Sequence, residues 1–125
     1  MKILLVEDNL LNQKVVMYNL KKYNYSLTTV DNGVDAIDKF KHNTFDLILM
    51  DIMLPEMDGF EITIEIRKLE KEKHTKKPIP IVALTANTLD NDRDRCLEVG
   101  MNDYLSKPFT SKQLVDKINK LVRHE

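Results

Sequence analysis

The stretch FDLILMDIMLPEMDGF, residues 45–60, sets the type of fold that the chain can adopt. Residues 45–50 are the most apolar of the strand-like runs, which predicts a strand buried on both faces and therefore central in a parallel sheet. Asp51 ends this run. The following segment, 54–59, includes a proline without an N–H and a glycine that relaxes the backbone, so we expect a loop there. Residues 60–69 then continue as a helix.

The same alternation of strand and helix patterns extends toward both ends of the chain. Residues 31–33 predict a turn, and the highly charged segment 70–78, which ends at a proline, predicts a solvated connection. The other predicted strands are residues 3–6, 25–30, 79–84 and 103–105, and the other predicted helices are 9–23, 34–41, 89–99 and 111–122. Five such units imply right-handed crossovers and a doubly wound α/β fold, in which helices cover both faces of a five-stranded parallel sheet.

Helical periodicity predicts which side chains face the core. The predicted buried faces are Val34, Ile37 and Phe40 in the second helix, and Leu114, Val115, Ile118, Leu121 and Val122 in the last. In the first helix, Val16, Leu20 and Tyr23 share one side, whereas Leu10 and Met17 fall nearly opposite. The latter two are either a docking surface for a helical partner or scattered surface residues, and the two interpretations have similar weight.

Polar side chains follow four of the predicted strands at their carboxyl ends. They are Glu7 and Asp8, Asp51, Thr85, and Lys107. Because the carboxyl ends of parallel strands share the edge where open α/β folds bind ligands, we expect these groups to meet in one pocket. Taken singly, each has a structural alternative. The first two acids and Thr85 could cap helices, Asp51 could form a turn, and Lys107 could belong to an ordinary loop.

Three gathered carboxylates predict a bound cation. Like charges about 4 Å apart repel by about 4 kcal/mol per pair at an effective dielectric constant near ~20. An all-oxygen site without histidine or thiolate suits a hard ion, and Mg²⁺ fits better than Ca²⁺ where a phosphate oxygen is also a ligand. Lys107 would supply the positive charge for a phosphoryl group bonded to one carboxylate. Asp51 is the best candidate for that carboxylate, since aspartate can form an acyl phosphate.

Composition limits the classes of protein to consider. A chain of 125 residues, 42% of them hydrophobic, fits one compact domain, residues 1–125. The net charge of −1 lacks the positive field of a nucleic-acid binder, so we expect no nucleic-acid contact. Neither a bilayer-length apolar run nor a signal-peptide pattern occurs, which predicts a cytoplasmic location without membrane insertion. The single cysteine, Cys96, excludes an intrachain disulfide and a cysteine metal cluster.

These residues resemble the receiver domains of response regulators, the CheY-like superfamily. The matching motifs are VEDN at 6–9, LILMDIMLPEMDGFE at 47–61, ALTAN at 83–87 and DYLSKPF at 103–109, so the resemblance covers nearly the whole chain. It implies the flavodoxin-like (βα)5 receiver fold with strand order 2-1-3-4-5, the order found in CheY itself. The first three motifs are most similar to receiver modules of hybrid sensor histidine kinases.

The resemblance implies a phosphoacceptor site that uses Mg²⁺. Asp51 would accept a phosphoryl group from a phosphohistidine of a partner, either a sensor histidine kinase or a histidine phosphotransfer protein. Mg²⁺ would be held by Glu7, Asp8, Asp51 and the main-chain carbonyl of Met53, although many members have aspartate at the position of Glu7. Met53 and Asn87, each two residues after a site residue, would control water access. Their exchange for small or acidic residues is expected to change the phosphate lifetime severalfold.

The resemblance also implies a conformational switch. Thr85 and Lys107 would bind phosphate oxygens, and Tyr104 would turn inward when Thr85 moves, although Tyr104 without the resemblance is an ordinary half-buried strand residue. The Lys107–Pro108 bond would be cis. Phosphorylation would then alter the surface formed by the fourth helix, fifth strand and fifth helix. Such a domain is not an enzyme in its own right but assists its own phosphorylation and dephosphorylation.

Other classes of protein fit less well. A flavin or nucleotide binder is disfavoured because Glu7 and Asp8 would repel an anionic phosphate, and a P-loop enzyme because no G-x-x-x-x-G-K-[ST] occurs. A phosphatase of the haloacid-dehalogenase type would have a second acid two residues after its nucleophilic aspartate, and in this chain that position is Met53. The alternative that stays open is a phosphorylation-independent interaction module with pseudo-receiver behaviour. A phosphorylation-dependent dimer, and a position in the cytoplasmic part of a membrane-bound hybrid kinase, are both compatible with the receiver prediction.

Overall fold

Five parallel strands form one sheet in the order β2-β1-β3-β4-β5. The computed structural model describes residues 1–86 and 90–122, with side chains described for 1–86 and 93–122. The strands are β1 (Lys2–Val6), β2 (Ser26–Val30), β3 (Leu47–Asp51), β4 (Ile81–Thr85) and β5 (Asp103–Ser106). The helices are α1 (Leu10–Leu20), α2 (Gly33–His42), α3 (Gly59–Glu72), α4 (Asp90–Val99) and α5 (Ser111–Val122), and a 3-10 turn, Lys21–Tyr23, follows α1. The predicted fold class and strand order are confirmed.

The sheet separates two apolar layers because its central strands are buried on both faces. In β1, Leu4 and Val6 pack into the layer that holds α2, α3 and α4, whereas Ile3 and Leu5 pack into the layer that holds α1 and α5. Every residue of β3 and β4 is buried. The predicted central position of residues 45–50 is therefore correct, and the sheet is a rigid base for whatever its edges present. No helix in the described part of the chain has the length and apolarity needed to cross a membrane.

The parallel register aligns the carboxyl ends of the strands. Val6 pairs with Met50, Asp51 with Leu84, and Thr85 with Ser106. The residues that end β1, β3, β4 and β5 therefore lie along one edge, as the sequence pattern predicts. The N-cap of α1 is the side chain of Asn9, which accepts a hydrogen bond from the Asn12 N–H at 3.0 Å. Glu7 and Asp8 are therefore not the N-cap of α1.

The structure differs from the sequence prediction at three points. Val34 is 70% exposed, so the buried face of α2 consists of Gly33 and Ala36 with Ile37 and Phe40 partly covered. Tyr23, predicted to extend the buried face of α1, lies in the 3-10 turn and is exposed. The third helix continues to residue 72, and its residue Glu70 is buried rather than part of a solvated connection. Residue 89, the predicted start of the fourth helix, lies outside the described residues.

Candidate functional site

Three carboxylates meet at the carboxyl edge of the sheet. Asp51 is the last residue of β3, and Glu7 and Asp8 follow β1 directly. One carboxylate oxygen from each of the three lies within 4.8 Å of the others. Asp8 is exposed, whereas Glu7 and Asp51 are only 1% and 5% exposed, so two of the three acids have little water to screen their charges. The predicted acid cluster is therefore present in the structure.

Lys107 reaches the same cluster from the loop after β5. Its Nζ lies 3.0 Å from Glu7 Oε1 and 3.4 Å from Asp51 Oδ2. The peptide bond between Lys107 and Pro108 is cis, as the resemblance implies. One ammonium thus bridges two of the three acids, and the cluster keeps an excess of negative charge.

Main-chain and side-chain hydrogen bonds hold the acids in position. Met53 N–H donates to Asp51 Oδ1 at 3.0 Å, and Asn9 N–H donates to Glu7 Oε2 at 3.2 Å. The buried Gln13 of α1 donates from Nε2 to the main-chain oxygen of Glu7 at 2.6 Å. Gln13 was not among the site residues predicted from the sequence. Its spacing of three and seven residues from Val16 and Leu20 places an amide on the buried face of α1, and that pattern was available to find it.

The two buried acids, Glu7 and Asp51, have Lys107 as a common cationic partner, and their pKa values shift in opposite directions. Burial, together with the hydrogen bond and negative charge of Glu7, raises the pKa of Asp51 from its ordinary 3.8 to about 6. Burial alone would also raise the pKa of Glu7, but hydrogen bonds with Asp51 and Lys107 bring it below its ordinary value. Between about pH 4 and pH 6, therefore, the proton held by this pair of acids resides on Asp51, the acid predicted to be the acceptor.

The other predicted site residues lie at different distances from the acid cluster. Thr85 is the buried last residue of β4, and it lines a cleft together with Asp8 and Met53. Tyr104 is a half-buried residue of β5 whose ring packs against the core, with Lys117 Nζ 6.0 Å from its centroid. The structure therefore brings Thr85 to the cluster and leaves Tyr104 on the neighbouring strand. Asn87 lies outside the described residues.

The donor set fits a divalent cation that prefers oxygen. All three clustered side chains are carboxylates, and one of them, Asp8, is exposed and faces the same cleft as Met53. The single ammonium of Lys107 lies beside three carboxylates, so the cluster is left with a net negative charge when all three are ionised. A hard ion with retained water ligands, such as Mg²⁺, would supply that balance.

An acid cluster with a bridging lysine, at the carboxyl edge of a 2-1-3-4-5 sheet, defines a class of phosphate-handling α/β domains. The family model of the response regulator receiver domain matches residues 3–119 of this chain. The chain belongs to that family and is a receiver domain of two-component signalling systems.

Relatives among the curated proteins include two hybrid histidine kinases and a response regulator. The chain is 48% identical over 127 residues to hybrid signal transduction histidine kinase B of Dictyostelium discoideum, covering 95% of this chain and 6% of that protein. It is 45% identical to kinase M of the same organism, covering 96% and 5% of the two chains. Response regulator mcs4 of Schizosaccharomyces pombe is 40% identical over 93% of this chain and 26% of its own length. The chain thus spans a small part of these relatives.

Two solved structures share the whole architecture. The receiver domain of sensor histidine kinase PA1611 from Pseudomonas aeruginosa PAO1, which has a magnesium ion coordinated in its active site cleft, superposes with a TM-score of 0.86 at 42% identity, covering 98% of both chains. The receiver domain of Ssk1 from Saccharomyces cerevisiae, solved with the histidine phosphotransfer protein Ypd1, gives a TM-score of 0.92 at 35% identity, covering 98% and 89%. The alternative of a pseudo-receiver module gains no support from these similarities.

Proposed function

We propose that Asp51 is the phosphoacceptor of a phosphorelay and receives a phosphoryl group from a phosphohistidine of a partner protein. The observation that supports this most is the convergence of three carboxylates and the Lys107 ammonium on one edge of the sheet. Asp51 is the acid of this set that ends the central strand, and the ammonium already lies 3.4 Å from its Oδ2. Within the described residues, no other cluster of three potential metal ligands occurs.

The proposed transfer makes one bond and breaks one. A carboxylate oxygen of Asp51 attacks the phosphorus, the new O–P bond forms as the N–P bond of the phosphohistidine breaks, and the electron pair of that bond stays on the imidazole nitrogen. Lys107, which bridges Glu7 and Asp51, would then bond to a phosphate oxygen as a point charge. The Thr85 hydroxyl, at the end of the next strand, would donate to another oxygen. Hydrolysis of the acyl phosphate returns the carboxylate.

Glu7, Asp8, Asp51 and the main-chain carbonyl of Met53 would hold Mg²⁺. The ion would supply charge neutralisation between the acids and the phosphate oxygens. The chain itself supplies position. Met53 N–H fixes one Asp51 oxygen, and Gln13 and Asn9 fix the loop that presents Glu7. These contacts keep Asp51 in one orientation for in-line attack.

The exposed face of α1 is the proposed docking surface for a helical partner such as a histidine phosphotransfer protein. Leu10, Leu11 and Met17 are 64%, 69% and 49% exposed, while Val16 and Leu20 of the same helix are buried. The exposure of Leu10 and Met17 and the burial of Val16 and Leu20 agree with the two faces predicted for α1, whereas Tyr23, predicted on the buried face, is exposed. An exposed apolar surface beside the acid cluster suits a partner that must bring a phosphohistidine close to Asp51.

Substitution on this surface tests the partner assignment. With a phosphorylated histidine phosphotransfer protein as donor, we expect Leu10→Asp and Met17→Asp to slow transfer at least about tenfold, because a charge in an apolar interface is desolvated without a partner. Ile64→Asp, at a 40% exposed position on α3, is the matched control and should transfer at the wild-type rate. Wild-type rates in both α1 variants would exclude α1 as the docking surface.

We further propose that residues 1–125 act as one receiver domain in a hybrid kinase or a response regulator. The small share of each relative that the chain covers is consistent with a module of a longer protein. Whole-protein activity would then come from kinase parts elsewhere, and the receiver would pass its phosphoryl group onward. Switching would involve Thr85 and Tyr104, and Asn87 and Met53 would tune the phosphate lifetime.

The proposed acceptor chemistry is tested by intact-mass spectrometry after incubation with acetyl phosphate, with and without Mg²⁺. We expect a Mg²⁺-dependent gain of about 80 Da, one phosphoryl group, in the wild type and no gain in Asp51→Asn. Circular dichroism should show that the variant is folded. A folded wild type that gains no mass with Mg²⁺, or a variant that gains the same mass, would contradict the proposal.

A further inference from the structure

A cleft of about 720 Å³ connects the proposed acceptor site with α4. Asp8, Met53 and Thr85 line it on the side of the acid cluster, and Phe60 and Arg95 line it on the side of α3 and α4. Arg95 is the one cationic residue among the described residues that line this cleft. The site thus has a second positive group on its rim, distinct from Lys107.

Arg95 is held in place by an aromatic ring. Its guanidinium carbon lies 4.2 Å from the centroid of the Phe60 ring, and Phe60 is itself 4% exposed in the first turn of α3. A guanidinium stacked at this distance is oriented by the ring and keeps its N–H groups in its own plane. Within the described part of the chain, Arg95 makes no hydrogen bond or ion pair, and its exposed side chain lines the cleft.

The two cations of the site differ in what they can offer an incoming anion. Lys107 is already engaged, at 3.0 Å from Glu7 and 3.4 Å from Asp51. Arg95 has no carboxylate partner among the described residues. The cleft is also lined by Asp58, but the side chain of Asp58 caps α3 and accepts the Glu61 N–H. A phosphodonor that approaches the three carboxylates through this cleft therefore meets Arg95, a cation without an acidic partner among the described residues.

We propose that Arg95 is a donor-binding residue that receives the anionic phosphoryl group of the phosphodonor in this cleft before its transfer to Asp51. The inference rests on the proposed function. A planar guanidinium with a fixed orientation suits two phosphate oxygens, whereas a lysine engaged with carboxylates does not. Arg95 would raise the local concentration of the donor, and Lys107 would act later, on the phosphoryl group during transfer.

The rate constant for phosphorylation by acetyl phosphate tests this role. At saturating Mg²⁺ and low ionic strength, we expect Arg95→Met to lower the second-order rate constant at least about threefold, Arg95→Lys to retain most of it, and added NaCl to remove the difference. Mg²⁺ affinity, measured by calorimetry, should stay unchanged. A merely structural role for Arg95 would alter thermal stability without this dependence on ionic strength.

Arg93→Met is the matched control. Arg93 lies on the same helix and also faces a ring, with its guanidinium carbon 5.9 Å from the Tyr104 centroid, but it does not line the cleft. Both variants remove one positive charge, so an effect of net charge alone would appear in both. An unchanged rate in Arg95→Met, or an equal loss in Arg93→Met, would overturn the inference.

Failure of the proposed function would be visible separately, since a wild type that gains no phosphoryl group rejects Asp51 as acceptor. Donor binding is then decided by NMR on Asp51→Asn, which cannot form the acyl phosphate. Titration with acetyl phosphate should shift the Nε–H resonance of Arg95, whereas titration with uncharged acetamide should not. No shift with acetyl phosphate would overturn the inference on its own.

Discussion

The two edges of the sheet each bury carboxylates beside a cation, and they differ in how completely the protein neutralises them. At the amino edge, Glu70 is buried, its Oε1 accepts from Arg67 at 2.7 Å, and its Oε2 accepts from the Ile79 N–H at 2.6 Å. At the carboxyl edge, Glu7 and Asp51 share one lysine, with Asp8 close by. The Arg67–Glu70 pair at the amino edge matches one cation with one acid, whereas the cluster at the carboxyl edge has one cation for three acids.

The amino-edge network is also tied to several elements. Arg67 of α3 donates to the Gly100 carbonyl at 2.9 and 2.7 Å and to Asn102 Oδ1 at 3.0 Å. The same Asn102 oxygen accepts from the Ile81 N–H at 2.9 Å. These bonds join α3 to the start of β4 and to the turn before β5. The network stabilises the fold. Its acid and its cation neutralise each other, so no net charge is left there to attract a ligand.

At the carboxyl edge, burial and the neighbouring acid raise the pKa of Asp51. Asp51 has a pKa of about 6 because it is buried beside Glu7, so the folded chain holds a proton that an exposed aspartate would release. The edge of the sheet that suits a ligand is therefore the carboxyl edge, where the acids outnumber the cations. The excess of buried negative charge at the carboxyl edge would be neutralised by a cation from outside the chain, whereas the Arg67–Glu70 pair already has its cation within the chain.

The largest expected effect follows removal of the shared cation. Lys107→Met should lower the rate of phosphorylation by acetyl phosphate by about 10²–10³-fold, because a preorganised positive group aimed at the transferring phosphate is lost. Intact-mass time courses in saturating Mg²⁺ measure this rate. Lys112→Met, at an exposed lysine of α5, is the control and should react like the wild type. A loss smaller than threefold in Lys107→Met would show that the two edges do not differ in the proposed way.

Breaking the balanced edge should change stability instead. Arg67→Met leaves Glu70 buried without its cation and should lower the free energy of unfolding by about 2–3 kcal/mol. Lys68→Met breaks the exposed pair with Glu65, which lies on the same helix with the same three-residue spacing and a 3.4 Å separation, and should cost less than about 0.5 kcal/mol. Urea denaturation measures both. Equal losses in the two variants would show that burial of the Arg67–Glu70 pair confers no special stability.

A third prediction concerns pH in the absence of Mg²⁺. The pKa of Asp51 rises from 3.8 in its ordinary state to about 6, so between these values the folded chain binds a proton that the unfolded chain has lost. The free energy of unfolding therefore falls as the pH rises through this window. Asp51→Asn has no carboxylate to ionise at this position, so its free energy of unfolding does not fall in this way. In EDTA the variant should be more stable than the wild type by about 1–2 kcal/mol at pH 7.5.

The difference between Asp51→Asn and wild type should shrink as the pH falls from 6 toward 3.8, and it should be lost below 3.8, where Asp51 is protonated in both the folded and the unfolded state. Urea denaturation at several pH values in EDTA measures it. Addition of Mg²⁺ should stabilise the wild type more than the variant, since the ion binds the folded acid cluster. A wild type that is the more stable protein at pH 7.5 in EDTA would contradict the charge imbalance assigned to this edge.

The smallest effect is expected on the rim of the same edge. Met53 is 76% exposed, lies two residues after Asp51 and donates its N–H to Asp51 Oδ1. Met53→Ala and Met53→Glu should change the half-life of the acyl phosphate severalfold, because the side chain at this position controls the approach of water. Loss of the phosphoryl mass after donor removal measures the half-life, with Met17→Ala as the control. Identical half-lives in both Met53 variants and the wild type would refute the assignment.

Much of the functional edge was predictable because its elements are local. The apolar runs of β1, β3 and β4 are short and bounded by polar residues, and parallel strands bring their ends together whatever the intervening loops do. Glu7, Asp51 and Lys107 were therefore placed in one pocket from strand ends alone. The order of the strands was not obtained in this way, since periodicity does not order a sheet, and it came from the resemblance to receiver domains.

The balanced edge was not predictable from local pattern. Glu70 lies in a run of charged residues that favours a solvated segment, and its burial depends on Arg67 one turn earlier and on the Ile79 N–H nine residues later. Tertiary contacts of this kind override composition. The prediction that Val34 is buried was also wrong: its neighbour Gly33 packs closely against Met57, and Val34 itself is 70% exposed.

The measurement that tests the central claim most directly is the location of the phosphoryl group. Wild type is phosphorylated by acetyl phosphate in Mg²⁺, reduced with borohydride to convert the acyl phosphate to homoserine, digested, and sequenced by tandem mass spectrometry. We predict homoserine at position 51 and unmodified acids at positions 7, 8 and 58. Homoserine at position 8 or 58, or 2-amino-5-hydroxypentanoic acid (the reduction product of a glutamyl phosphate) at position 7, with an intact Asp51, would contradict the assignment of Asp51 as the acceptor.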